Sequence, residues 1–355
     1  MTLAKSRYVI GGDFELPAWQ LGNFRQLMNL TFGLSGTWTA SGRAALALIL
    51  QHLKSKGVQH IHLPAYLCQS ILQPVQALGF KYSFYPVDST LTAQPDPLPG
   101  SAVLLIHYFG WKNPVTESLR SKAGKDFFLI EDACQALLSD VGFVPNEGRF
   151  IIISPRKFVP AVLGGWCNLP VKKENPSVEI EAMVWQSVTA RMARAIYLMH
   201  SEAALDHALE EFYLKAFSDA ERFLDAHPTY VPVPQIVLDL LAGFDWEMIK
   251  QRRRNNWLTL NEQLSGRIET IMPELSAKVV PLGYVVRLRK RSALKAQLAK
   301  RRIFCPVHWL LPSEIEAARF PDSAQLADTC LTLPIDQRYV ADDLLKMAQI
   351  LMALQ

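Results

Sequence analysis

The chain has 355 residues, 50% hydrophobic and 20% charged, enough for a sizeable core and unlike a disordered composition. Its formal net charge of +4 is small for that length and argues against a general nucleic-acid binder. The five cysteines (Cys68, Cys134, Cys167, Cys305 and Cys330) are odd in number, widely spaced and without a Cys-x-x-Cys pair, which argues against a disulfide framework or structural zinc and predicts reduced thiols in a cytoplasmic protein.

In chain order, Met1–Phe14 has no apolar stretch of the secretory type, and no apolar run anywhere reaches the roughly 18 residues of a membrane helix. Ser41-Gly42 opens a predicted helix over Ala44–Leu53. Ile61–Pro64 reads as a strand end, followed by a helix from about Cys68 to Leu78. Strands are predicted at Tyr82–Val87, Val103–Tyr108, Phe127–Ile130 and Phe150–Ile153. Most are apolar nearly throughout, the pattern of strands buried on both faces in a parallel sheet. Beyond Pro170 the character changes. Val178–Ala226 is a long helical pattern ended by Pro228, Pro232 and Pro234, and a further helix is predicted over Trp246–Leu264. Ile268–Gln355 carries short strands, including Tyr284–Leu288, and two or three helices. The expected architecture is α/β, with a large domain over residues 1–240 and a small C-terminal α/β domain over 241–355.

Three motifs carry chemistry. In Thr39-Ala40-Ser41-Gly42-Arg43-Ala44 a small turn leads into a helix, and free N–H groups with the helix dipole make such a turn an anion site. Ser41 and Arg43 would add donors to a phosphate, although Ser-Gly before a helix also serves as a plain N-cap. In Leu129-Ile130-Glu131-Asp132-Ala133-Cys134-Gln135 an apolar strand ends in two acids, where ligands of open α/β sheets bind. Asp132 can hold a heterocyclic nitrogen protonated and Gln135 can donate to a ring oxygen; the acids can equally cap the next helix. In Ile153-Ser154-Pro155-Arg156-Lys157-Phe158, with Gly164-Gly165 after it, a lysine follows a buried strand. Desolvation there would make it a nucleophilic amine, against the alternative of an ordinary surface lysine. His308-Trp309 suits contact with a sugar or carboxylate, or the buried edge of the small domain. The basic residues Arg252–Arg254 and Arg287–Arg302 read as solvated helix faces or as an anchor for a phosphorylated ligand. No metal-binding histidine spacing, Gly-x-Ser-x-Gly elbow or P-loop is present.

The order of these motifs resembles that of fold-type-I pyridoxal-phosphate (PLP) enzymes, and their wording resembles the DegT/StrS sugar aminotransferases. The matching pieces are Ser41–Leu46, Leu63–Cys68, Val87-Asp88, His107–Gly110, Glu131–Ala136, Ser154–Phe158 with Gly164-Gly165, Arg253–Asn256 and Leu333–Tyr339. The resemblance implies a mainly parallel sheet plus a small C-terminal domain. It implies Lys157 as the Schiff-base lysine and proton carrier, Asp132 at the pyridine nitrogen and Gln135 at the ring oxygen. Ser41, Gly42, Arg43 and Ser154 would surround the phosphate, and Tyr66 or His107 would stack on the ring. It further implies transfer of an amino group, from glutamate, to a nucleotide-linked keto-sugar in polysaccharide or amino-sugar biosynthesis, by a homodimer with shared sites. Retention of Lys157 argues against the family's dehydratase branch, which carries histidine there. The family's Gly-Tyr-Asn segment, which brings an asparagine from the partner subunit, has no equivalent in Val184–Arg191. That departure leaves two other readings: a different PLP reaction on this fold, or a non-catalytic relative that binds a sugar nucleotide.

Overall fold

The computed structural model of the chain describes residues 8–16, 31, 33–172, 174–199, 203–272 and 274–355, without the side chains of 203–206. Its first strand, β1 (Ile10–Gly11), pairs with Ile303–Phe304 of the C-terminal part. Seven strands then build one sheet: β2 (Thr37–Thr39), β3 (His60–Pro64), β4 (Lys81–Tyr85), β5 (Ala102–Ile106), β6 (Phe128–Asp132), β7 (Arg149–Ile153) and β8 (Gly165–Cys167). Their spatial order is β2-β8-β7-β6-β5-β3-β4. From β4 to β7 every pairing is parallel, whereas β8 runs antiparallel to both β7 and β2.

The central strands explain the architecture. β5 is Ala-Val-Leu-Leu-Ile with every residue buried, and β6 and β7 are buried over four of five positions. Such strands need cover on both faces. Helix α1 (Gly42–Ser55) packs on β7 and β8 and buries Ala44–Leu50 and Leu53. Two short helices follow: α2 (Leu72–Ala77), preceded by a 3-10 turn at Gln69–Ile71, and α3 (Thr116–Lys122). Register aligns the strand ends. Ile106 pairs with Asp132, and Asp132 with Ile152. The loops after β5, β6 and β7 therefore leave the sheet at one edge, where ligands of such sheets bind.

Two features differ from the sequence reading. The Val178–Ala226 pattern is not one helix but two, α4 (Val178–Met199) and α5 (Ala203–Ala226). They pack on each other through Ala190, Ala193, Ala216 and the edge-on rings of Tyr197 and Tyr213, because small residues let the helices approach while the aromatics fill the seam. The strands β2 and β8, three residues each, were not expected. Gly165 opens β8, and its lack of a side chain serves close approach to the Ser41 backbone.

The C-terminal part contains α6 (Gln235–Ala242), α7 (Trp246–Leu264), β9 (Tyr284–Arg287), α8 (Arg291–Lys300), β10 (Ile303–Phe304), α9 (Pro321–Thr329), β11 (Cys330–Leu333) and α10 (Ala341–Leu354). β11 pairs antiparallel with β9, and β10 pairs parallel with β1. α7 spans two cores. Trp246 and Ile249 pack with residues of the large sheet, whereas Trp257, Leu260 and Leu264 pack with Tyr284, Leu298, Leu331 and Met347. The latter core also holds Ile10, and Gly11 N–H donates to the Tyr339 hydroxyl at 2.7 Å. Among the described residues no helix is long and apolar enough to cross a membrane.

Candidate active site

A cavity of about 170 Å³ lies where α1 begins and where β6 and β7 end, lined by Ser41, Gly42, Arg43, Asp132, Ser154 and Lys157, with Cys68, Cys134, Arg156, Glu221 and Trp309. Three motifs spread over more than a hundred residues, from Ser41 to Lys157, thus meet around one space.

The Ser41–Gly42 turn is built for close approach. Ser41 is extended and its Oγ accepts from Ala44 N–H at 3.2 Å, so it is the N-cap of α1 and keeps its own proton for another acceptor. A Cβ on Gly42 would lie 2.7 Å from Cys134 Sγ, and one on Gly165 would lie 2.1 Å from the Ser41 carbonyl. Gly165→Ala is therefore expected to cost about 1–3 kcal/mol through backbone displacement, read as a lower urea midpoint with an unchanged slope.

Asp132 is buried and its Oδ1 accepts from Cys134 N–H at 2.8 Å. Burial, and then the charge of Asp132, push the Cys134 thiol well above its ordinary pKa, so this cysteine stays protonated. Gln135 is held by one end. Its Oε1 accepts from Phe109 N–H at 2.9 Å, while its buried Nε2 has no hydrogen-bond partner among the described residues. Lys157 sits in the 3-10 turn Pro155–Lys157. Its Nζ lies 5.8 Å from the Trp309 ring centroid and makes no hydrogen bond or ion pair among the described residues.

Trp309 reaches this site, and His308 stands beside it on the far side of Lys157. The His308 imidazole is half-buried, and desolvation with the nearby Lys157 charge pushes its pKa down to about 3, so it is neutral. Its Nδ1 shares a 2.9 Å hydrogen bond with Thr332 Oγ1. The Trp309 ring packs 5.7 Å from Tyr66 and 6.3 Å from Tyr108. Tyr66 reaches the site only through this cluster, with its hydroxyl donating to the His308 carbonyl.

Two expected cofactor residues have other partners. His107 does not line the cavity. Its Nδ1 accepts from Asn113 N–H at 3.1 Å, so its Nε2 carries the proton and donates to Glu131 Oε2 at 2.9 Å. Arg120 binds both oxygens of Glu131 at 2.8 Å. Glu131 thus caps no helix but anchors a buried triad. Arg43 lines the cavity, but its NH1 donates to the Leu224 carbonyl at 2.8 Å and to Asp225 Oδ1 at 2.7 Å. A second arginine of the lining, Arg156, pairs with Glu221. The end of α5 therefore closes the cavity mouth with carboxylates already neutralised by arginine.

A second cavity of about 750 Å³ opens on the other side of Lys157, toward α8 and the small domain. Arg253, Arg291, Lys295, His308, Thr332 and Arg338 contribute to its walls. Of the predicted basic cluster, Arg287 is taken by Glu269 and the Ser89 carbonyl. Arg291 is taken by the carbonyls of Ala327 and Asp328, whereas Lys295 faces this cavity. Sequence reasoning missed Glu221, Arg156 and Cys68 as lining residues. Glu221 carries no local signal, because its position depends on how α5 folds back.

No family model and no curated protein sequence matches the chain. Solved structures do. The sugar aminotransferase CalS13 from Micromonospora echinospora aligns with a TM-score of 0.66 and 16% identity, over 98% of this chain and 99% of that one. The PLP form of the putative sugar aminotransferase Spr1654 from Streptococcus pneumoniae aligns with a TM-score of 0.67 and 16% identity, over 97% and 93%. A DegT DnrJ EryC1 StrS aminotransferase from Brucella abortus gives 0.63 and 16%, over 98% and 91%. The chain has the α/β fold of these aminotransferases along almost its whole length.

Proposed function

We propose that the protein is a PLP-dependent aminotransferase of the DegT/StrS type, transferring an amino group from glutamate to a nucleotide-linked keto-sugar. The observation that carries this reading is the unpaired Lys157 amine, set in one cavity between the Ser41–Gly42 helix start and Asp132. The residues fit the cofactor. The N–H groups that begin α1, with the Ser41 and Ser154 hydroxyls, form a phosphate cradle that any Cβ at Gly42 would crowd. Asp132 offers a fixed carboxylate for the pyridine nitrogen, and the orphaned Gln135 Nε2 offers a donor for the ring oxygen.

When bound, pyridoxal phosphate supplies an aldehyde and an electron-withdrawing ring. The chain's own residues do the rest. Lys157 Nζ attaches the cofactor and then moves a proton at the substrate carbon. Asp132 holds the ring nitrogen charged. Trp309 and neutral His308 cover the amine and exclude water without adding a second cation. The larger cavity beyond Lys157 has room for a sugar, and Lys295 at its wall suits a phosphate of the carrier. A cytoplasmic homodimer working in amino-sugar or polysaccharide biosynthesis accords with the family resemblance, and neighbours described as sugar aminotransferases support the substrate class.

Purified protein supplied with PLP is expected to show a visible absorption band that glutamate bleaches to the pyridoxamine form and a keto-sugar nucleotide restores. Protein that stays colourless in excess PLP would overturn the enzyme reading. A band that no amino donor alters would leave the cofactor and remove the transamination.

A further inference from the structure

The phosphate end of the smaller cavity is short of positive charge that is not already spent. The N–H groups that begin α1 and the Ser41 hydroxyl are its neutral donors. The Ser154 hydroxyl donates to the Gly164 carbonyl at 3.0 Å and must turn from it to serve a phosphate. Lys157 is reserved for the aldehyde. A phosphate monoester carries nearly two negative charges at pH 7, which a helix start worth roughly half a unit charge does not balance. The cations left in the lining are Arg43 and Arg156, and the end of α5 holds both.

The two arginines are not held alike. Arg43 NH1 is shared between the Leu224 carbonyl at 2.8 Å and Asp225 Oδ1 at 2.7 Å, and Asp225 does not line the cavity. The main-chain carbonyl cannot leave without displacing the helix. Among the described residues the Arg156 side chain bonds only to Glu221, through NH2, and its buried Nε has no hydrogen-bond partner. Glu221 itself lines the cavity, yet its side chain is 55% exposed against 21% for Arg156. So exposed a carboxylate gives up an arginine at little cost, because water takes over its hydrogen bonds. The guanidinium stays in the wall, and its fork fits phosphate oxygens as it fits a carboxylate. Room points the same way. The cavity measures about 170 Å³, whereas ligand pockets ordinarily offer roughly 300–1,000 Å³.

We propose that Glu221 is a latch on the phosphate end of the cofactor site: its carboxylate holds Arg156 and is exchanged for the cofactor phosphate, so that capture of the cofactor requires this ion pair to open. The latch rests on the PLP reading and adds to it a built-in competitor that sets how tightly the cofactor is held.

The test uses full-length protein freed of cofactor. It is titrated with PLP and with pyridoxal, which lacks the phosphate, each followed by its visible band. Inorganic phosphate is followed by the rise it causes in the unfolding midpoint. Glu221→Gln keeps the shape of the side chain and removes its charge. It is expected to bind PLP at least about tenfold more tightly than wild type, to gain for inorganic phosphate as well, and to bind pyridoxal within about twofold of wild type. Asp225→Asn should change PLP binding by less than about threefold, since Arg43 stays on the Leu224 carbonyl. Adding Arg156→Met to Glu221→Gln should remove the gain. Unchanged or weaker PLP binding by Glu221→Gln overturns the proposal. So does an equal gain for pyridoxal, or an equal gain in Asp225→Asn, because either is a general charge effect. A double variant as tight as Glu221→Gln overturns it too, since Arg156 then takes no phosphate. Failure of the PLP reading looks different: no visible band with PLP in any of these proteins, while inorganic phosphate still binds more tightly to Glu221→Gln. The exchange at Glu221 then stands for another phosphate ligand. If inorganic phosphate shows no gain either, both readings fall.

Discussion

Lys157→Ala is expected to abolish fixation of the cofactor to the chain by borohydride and to lower turnover by at least about 10²–10⁴-fold. The argument is geometric. Among the described residues the Lys157 amine is the only lysine amine lining the smaller cavity, whose other walls include hydroxyls, Asp132, Arg43, an Arg156–Glu221 pair, two cysteines and Trp309. No neighbouring amine is placed to substitute for it there. Because Nζ carries no hydrogen bond or ion pair among the described residues and only a 5.8 Å contact with the Trp309 ring, the variant should unfold at nearly the wild-type midpoint. PLP should still bind through the Ser41–Gly42 turn and Asp132, but exchangeably. Mass spectrometry after borohydride treatment decides the matter. A cofactor adduct retained in the alanine variant would place the reactive lysine elsewhere.

Glu131→Ala is expected to have the largest effect on stability, about 3–5 kcal/mol, because it removes the buried carboxylate of Arg120, leaving that guanidinium only the exposed Glu117 and two carbonyls, and strands an imidazole N–H. Glu131 is fully buried at the end of β6 and accepts from both Arg120 and His107. Burial alone would raise its pKa. Hydrogen bonds from His107 and Arg120, with the Arg120 charge, outweigh burial and hold it below the ordinary carboxylate value. The sign of the pH dependence follows. A folded-state pKa below the unfolded value of roughly 4.3 stabilises the fold above that pH. The contribution fades as pH falls through the depressed folded value. Urea denaturation at pH 7 and near pH 4 should therefore show the wild type losing stability on acidification and the variant losing less. Replacing Arg120 and Glu131 together by methionine should recover much of the loss, since no lone charge then remains.

How much of this was legible in the sequence depends on the range of the forces involved. Trp246–Leu264 was predicted at its observed ends because the signals are local: Asp245 caps the helix through Met248 N–H at 3.1 Å. The parallel core strands were legible because burial on both faces leaves an unbroken apolar run. Ser41, Asp132, Ser154 and Lys157 were legible as a set because they follow strand ends or open a helix, and register brings those ends together. Arg43 and His107 read as ligand contacts because nothing local shows their partners. Arg43 is claimed by Asp225, 182 positions away, and His107 by a glutamate on the neighbouring strand. The fold-back of α5 was equally invisible, since two helices packed through alanines have the same local pattern as one long helix.

The strand β1 has a consequence for the order of events on the ribosome. Ile10 lies in the small-domain core, and Gly11 hydrogen-bonds to Tyr339, 328 positions later. The segment Ile10–Gly11 therefore waits, without these partners, until Ile303–Phe304 and Tyr339 have been synthesised. Closing so long a loop is entropically slow compared with the local contacts of α1 or α7. The core around Trp257 and Tyr284 is thus completed later than the sheet of β3 to β7, and a fragment cut between residues 240 and 241 would leave β10 without its partner β1.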